Sequence, residues 1–256
     1  MKIKVYFLIA FLLFLLNGCA QRSNSAVFHV SEVIDGDTIE LSGGRHVRYI
    51  GIDTPEVREK KGGEWVYKPE EYALEAKEFN RKLVEGKEVR LEFDVVRSDK
   101  YKRWLAYVFV GDKMANEELL RGGYATLYTY PPNVEYVDRF VAAQQEARQG
   151  KRGLWEVYET ISPEQAGGHV GEFATVRGLV VSTYQSPKVT FLNFGDNWRE
   201  DFTAVIFTSN LNQFKKLGIE PVSYYKDRQV EVVGKIKFYN GPEIIINHPS
   251  QIRTIE

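Results

Sequence analysis

An arginine and two carboxylates crowd the stretch Arg48-Tyr49-Ile50-Gly51-Ile52-Asp53-Thr54-Pro55-Glu56. Val47 to Ile52 reads as a buried strand, rich in β-branched and aromatic residues. Pro55 cannot continue a ladder and pushes Thr54 toward extended backbone, so the strand ends there. Asp53 and Glu56 are then presented at a strand end, on a turn fixed by proline. Upstream lies Asp35-Gly36-Asp37-Thr38, and downstream lies Asp99-Lys100-Tyr101-Lys102-Arg103. Asp37 and Asp53, on neighbouring strand ends, are hard oxygen donors of the kind that Ca²⁺ takes together with water. His29, His46, His169 and His248 are scattered, which argues against zinc. Each piece alone has an ordinary explanation: a turn for Asp35-Gly36-Asp37, a surface glutamate for Glu56, a strand-edge charge for Arg48 and a loop charge for Arg103.

The elements that must position these groups follow from periodicity. Val27–Val33, Asp37–Leu41 and His46–Ile52 read as strands separated by Gly-containing turns. Arg58 to Lys68 has no period and reads as a mobile basic loop. Pro69, Glu70 and Glu71 open a helix to about Glu85, with Ala73, Ala76, Phe79, Leu83 and Val84 inward and Gly86 as its stop. Val89, Leu91, Phe93 and Val95 alternate with charged residues, and Trp104–Val110 is the next strand. A short helix spans Ala115–Leu120, and a last one runs from Asn133 to Gln149, with Trp155 packing back on the core. Five strands with attached helices fit a Greek-key barrel of the oligonucleotide-binding type.

The three chemical segments, in this order and spacing, resemble the staphylococcal-type thermonuclease family. Ile34-Asp35-Gly36-Asp37-Thr38, Arg48 with Ile52-Asp53-Thr54-Pro55-Glu56, and Asp99-Lys100-Tyr101 with Arg103 and Leu105-Ala106-Tyr107 carry it, from about Val27 to Trp155. The resemblance implies the same mainly-β barrel with α-helices, and hydrolysis of DNA or RNA to products with 3′-phosphates. It implies one Ca²⁺ held by Asp37, Asp53 and the carbonyl of Thr54, with Glu56 as the base that positions or deprotonates water. Arg48 and Arg103 would be phosphate clamps, for which a planar guanidinium fork is suited and a lysine is not. Lys100, Tyr101, Tyr128 and Tyr130 match positions around the bound nucleotide, although tyrosines in a barrel also serve packing. One departure stands out: Lys102 precedes Arg103 where the family often has glycine.

The 256 residues allow one large or two modest domains, and 43% hydrophobic residues suffice for a real core. With 34 basic and 35 acidic side chains, net charge says nothing about nucleic acid; phosphate binding must come from local patches or a metal. Lys2 and Lys4 precede an apolar run, Val5–Leu16, and then Asn17-Gly18-Cys19-Ala20. This describes a secretory leader, and its end is similar to the lipobox of bacterial lipoproteins, with Cys19 lipidated. The expected plan is a signal peptide (1–18), a tether (19–26), a nuclease-like domain (27–158), a linker (159–168) and an accessory domain (169–256). The last segment predicts strands at Phe173–Ser182, Lys188–Phe194, Phe202–Phe207, Gln229–Tyr239 and Glu243–Ile246, with a helix at Asn210–Leu217. That pattern suggests a second oligonucleotide-binding barrel, in which Tyr184, Phe194, Trp198 and Tyr239 read first as core or rim packing and second as a stacking platform. Together these features describe a Ca²⁺-dependent nuclease anchored in a bacterial cell envelope, at the outer membrane if the host has two. The alternatives are a non-catalytic nucleic-acid binder on the same barrel and an envelope scaffold.

Overall fold

A computed structural model describes residues 26–255; the leader, Cys19 and most of the tether lie outside them. In the first barrel, β1 (Val27–Asp35), β2 (Thr38–Leu41) and β3 (Arg45–Tyr49) form an antiparallel meander. β3 runs parallel to Trp104–Val110, which pairs antiparallel with Glu88–Glu92, and that strand returns to β1. Calling these last two β5 and β4, the order 1-2-3-5-4-1 closes the barrel as an oligonucleotide-binding fold. Alternate positions fill its interior: Ile39 and Leu41, Val47 and Tyr49, Val89 and Leu91, Ala106 and Val108 are all buried. Helices α1 (Ala73–Val84), α2 (Ala115–Arg121) and α3 (Val137–Gln149) pack around it. Asn80 of α1 is fully buried; its Oδ1 accepts from Tyr49 Oη at 3.0 Å and its amide donates to the Asp35 carbonyl at 3.5 Å. One polar side chain thus ties a helix to both strands that carry the Asp and Arg groups.

Several expected boundaries move, each for a local reason. The strand read as His46–Ile52 stops at Tyr49 and turns at Ile50-Gly51. Gly51 has φ 81°, and a Cβ there would lie 2.5 Å from the Phe140 ring, so glycine is required twice over. Ile52–Asp53 then resumes as a separate short strand against Thr126–Leu127. The loop expected over Arg58–Lys68 is a hairpin, Arg58–Lys61 against Glu64–Tyr67, turning at Gly62-Gly63. Both of its faces are exposed, so its sequence carries no alternation. α1 begins at Ala73, not Pro69, after Tyr72 in the left-handed region at φ 65°. α3 begins at Val137 because the Asn133 amide is occupied earlier, bonding both the N–H and the carbonyl of Val96. Val95 is 71% exposed, since β4 has already ended at Glu92.

The second barrel repeats the pairing order. β6 (Phe173–Leu179) bends into β7 (Ser182–Gln185), followed by β8 (Val189–Asn193) and β9 (Thr203–Phe207). α4 (Leu211–Lys216) intervenes before β10 (Gln229–Phe238) and β11 (Pro242–Ile245). β7, β8 and β9 are antiparallel neighbours, β9 is parallel to β11, and β10 joins β11 to β6. The segment expected as a linker is packed instead: Thr160–Ile161 pairs with Thr175–Val176, and Pro163–His169 is a 3₁₀ turn with Ala166 buried. The barrels touch through the Tyr158–Phe173 stack, with ring centroids 5.4 Å apart, and through Thr129 Oγ1, which donates to the Asn247 carbonyl at 2.8 Å. No helix among the described residues is long and apolar enough to cross a membrane.

Candidate active site

The Asp35-Gly36-Asp37 turn joins β1 to β2, and Gly36 is needed there because a Cβ would fall 2.6 Å from Thr54 Oγ1. That approach brings the Thr54 N–H within 3.0 Å of Asp37 Oδ2, which accepts it. Arg48, on β3, reaches the same oxygen with one terminal nitrogen at 2.9 Å and Asp53 Oδ1 with the other at 2.7 Å. The first of these nitrogens also donates to the carbonyls of Tyr49 and Ile52, at 3.0 and 2.9 Å. A single guanidinium therefore fixes the turn at Gly51 and holds the two aspartates face to face.

Two buried side chains support this arrangement from behind. Asn116 donates to the Ile50 carbonyl at 2.9 Å and accepts from the Val108 N–H at 3.0 Å. Gln144 accepts from the Leu127 N–H at 2.7 Å, which anchors the strand paired with Ile52–Asp53. Burial pushes the Asp37 and Asp53 carboxyls up, against the pull of Arg48. Burial also works against the Arg48 charge, but the two aspartates more than offset it and its pKa is raised.

Glu56 follows Pro55 and lies in a cleft of about 400 Å³ with Asp35, Tyr101 and Arg103. Desolvation, with the charges of Asp35 and Asp53, raises its carboxyl from an ordinary 4.5 to about 7. Its backbone is clamped in both directions by Glu70, whose N–H donates to the Glu56 carbonyl at 2.9 Å and whose Oε2 accepts the Glu56 N–H at 3.1 Å. Glu70, read from the sequence as part of a helix start, is instead a positioning residue. No periodicity signals such a role, because the contact spans a loop.

Arg103 reaches the cleft from a turn closed by Asp99. Asp99 Oδ1 accepts the Tyr101 and Arg103 N–H groups at 2.9 and 3.0 Å, and Oδ2 accepts Arg103 Nε at 2.8 Å. Burial would raise Asp99, but these bonds from Arg103 prevail and its pKa is lowered. Lys102 takes the left-handed conformation at φ 66°, so the turn forms without the glycine usual in the resembling family. Among the described residues Asp99 is the only ion-pair partner of Arg103.

The structure thus brings Asp37, Arg48, Asp53 and Thr54 together, with Glu56, Tyr101 and Arg103 beside them. Tyr128 and Tyr130 line a different cleft, of about 710 Å³, between the barrels and bordered by Asp53. Lys100 lines neither cleft; its ammonium lies 5.0 Å from the Tyr101 ring centroid. Among the described residues no three His, Cys, Asp or Glu side chains group as a metal site. The available set is two carboxylates and backbone oxygen, with no nitrogen or sulfur donor. That chemistry fits a hard, partly hydrated cation such as Ca²⁺ and does not suit zinc.

A closed oligonucleotide-binding barrel with paired acids, a cleft glutamate and two arginines holds the groups that a phosphoester-cleaving class of protein uses. The family model for staphylococcal nuclease homologues matches residues 46–157. The thermonuclease of Staphylococcus hyicus is 36% identical over 141 residues, covering 52% of this chain and 78% of its own length. That of Staphylococcus intermedius is 40% identical over 134 residues, covering 50% and 74%. Endonuclease YncB of Bacillus subtilis is 41% identical over 131 residues, and the match spans 49% of this chain and 60% of that protein. The chain belongs to the staphylococcal nuclease family.

Proposed function

We propose that the protein is a Ca²⁺-dependent nuclease that hydrolyses phosphodiester bonds of DNA, RNA or both, and that it is anchored in the cell envelope through a lipidated Cys19. The observation that carries the activity is Glu56, held at about 7 in the cleft of Arg103 and beside the Arg48-bridged aspartates. A carboxylate tuned near neutral pH is suited to take a proton from water without being permanently protonated.

Asp37, Asp53 and the Thr54 carbonyl would hold Ca²⁺, which when bound supplies positive charge to the phosphoryl oxygens. Glu56 orients the attacking water and accepts its proton as the oxygen bonds to phosphorus. The phosphorus–O5′ bond breaks, its electron pair leaves with the 5′-oxygen, and the phosphate remains on the 3′ side. Arg103 stabilises the negative charge that builds on the phosphoryl oxygens, while Arg48, its terminal nitrogens taken up by Asp37, Asp53 and the turn carbonyls, adds positive charge beside them and holds the aspartates in place. The test is incubation of the purified protein with end-labelled single- and double-stranded DNA and RNA, with Ca²⁺ or with a calcium chelator. Cleavage only in Ca²⁺ supports the proposal, and undiminished cleavage in chelator refutes the metal assignment.

A further inference from the structure

The outer face of the second barrel turns toward the site. Lys188, Lys235 and Lys237 line the interdomain cleft opposite Asp53, Tyr128 and Tyr130. Lys235 pairs with Glu70, the residue that clamps Glu56. Lys188 and Lys237 have no ion-pair partner among the described residues.

A second cleft, of about 460 Å³, is bounded by Tyr184, Phe191, Trp198 and Tyr239. Tyr184, Trp198 and Tyr239 are 62%, 51% and 78% exposed, at the rim and not in the core, whereas Phe194 is buried. Tyr184 stacks on Phe191 with centroids 6.3 Å apart, and the Arg199 guanidinium lies 4.9 Å from the Trp198 ring.

The two clefts share one surface. Ile245 lines the first and Glu243 the second, and they stand two apart on β11, hence on the same face. Lys235, Lys237 and Tyr239 likewise succeed one another at every second residue, about 7 Å apart, along β10 and just past its end. Glu243, in register with Lys237, is the one acid within the aromatic cleft.

We propose that this face is a track for single-stranded nucleic acid, running from the scissile phosphate at Asp53 past Lys235 and Lys237 to the aromatic cleft. The inference rests on the nuclease reading above and gives the second barrel its part in it. Lysines in a row meet phosphates, and exposed rings next to them accept bases by stacking, a combination tolerant of sequence.

The test uses the full chain in chelator, so that binding is read without hydrolysis, with fluorescein-labelled oligothymidylates as probes. Wild type should bind an oligomer of about 15 nucleotides at least roughly tenfold more tightly than a dinucleotide, and more tightly than a duplex of equal length. Tyr184→Ala/Trp198→Ala/Tyr239→Ala, all at exposed positions, should abolish that length preference. Lys188→Gln/Lys237→Gln should lower the slope of log Kd against log salt by about 1.4. Dinucleotide cleavage in Ca²⁺ should stay at the wild-type rate in the aromatic variant, reporting an intact catalytic barrel. Unchanged affinity of the aromatic variant for the long oligomer, or equal wild-type affinity for the duplex, overturns the track. Cleavage in Ca²⁺ with no length preference in binding overturns the track and leaves the nuclease standing. Length-dependent binding that the variants abolish, with no cleavage of any substrate, supports the track and refutes the nuclease.

Discussion

Replacing Glu56 by glutamine tests the chemistry most directly, because it keeps the side chain's size and removes only its charge and basicity. With the carboxyl at about 7, Glu56 is roughly one tenth ionised at pH 6 and nine tenths at pH 8. The wild-type kcat/KM should therefore rise about tenfold between those values, when measured at the lowest calcium that supports turnover. A divalent cation beside Glu56 favours its ionised form, so the ascending limb should move to lower pH as calcium is raised. Glu56→Gln should lose the limb and lower kcat by about 10²–10⁴-fold, with Kd for an oligonucleotide near that of wild type.

Stability in chelator gives a second readout. Because the folded carboxyl titrates above its ordinary 4.5, its stabilising contribution is complete below that pH and is lost as pH rises toward 7. The gap corresponds to about 3 kcal/mol, and because Glu56 lies in a cleft open to water, screening reduces it to about 1 kcal/mol. Urea titrations at pH 5 and 8 should show that loss in the wild type and a smaller one in the glutamine variant. A glutamine enzyme that keeps the limb, or turns over within tenfold of wild type, refutes Glu56 as the base.

Two further substitutions probe the frame around it, and a third probes the leader. Gly51→Ala forces a side chain into the left-handed region and onto Phe140, at about 1–2 and 1–3 kcal/mol, so the urea midpoint should fall sharply and Phe140→Leu should restore part of it. Lys102→Gly relieves a left-handed lysine but adds unfolded-state freedom of about 0.5–1 kcal/mol; stability should change by less than about 1 kcal/mol and kcat should hold, whereas a large fall in kcat would show that the lysine itself takes part. Cys19→Ser should leave unprocessed precursor without acyl label, and normal processing with release of soluble protein would point to a plain secretory leader.

Much of this architecture was legible because its signals are local. Trp104–Val110 is predicted residue for residue, and the strands of the second barrel are displaced by one to three residues at most of their ends. The closeness of Asp37, Arg48 and Asp53, with Glu56 beside them, could be read because a turn, a strand and a proline present them in a recognisable order. The misses share a different cause. Gly51 ends β3 because of Phe140, some ninety residues away, and neither its φ nor that ring is visible in a hydrophobic run. The hairpin at Arg58–Tyr67 has two wet faces and so no period. Glu70, Asn116 and Gln144 position the site through backbone contacts between segments distant in sequence, and nothing in their neighbours marks them. For Tyr184, Trp198 and Tyr239 the sequence left core, rim and stacking platform open, since composition cannot tell an aromatic in a core from one on a rim.

The guanidinium bridge at Arg48 has a consequence for how the chain reaches its working state. Clustered acids in a protein interior repel one another and commonly depend on a cation before the surrounding backbone can settle. Here the counter-charge is built into β3, with bonds to Asp37, Asp53 and the carbonyls of the intervening turn. Closure of the barrel is thereby uncoupled from the supply of any cation: Arg48 alone supplies the charge that lets the two aspartates sit side by side.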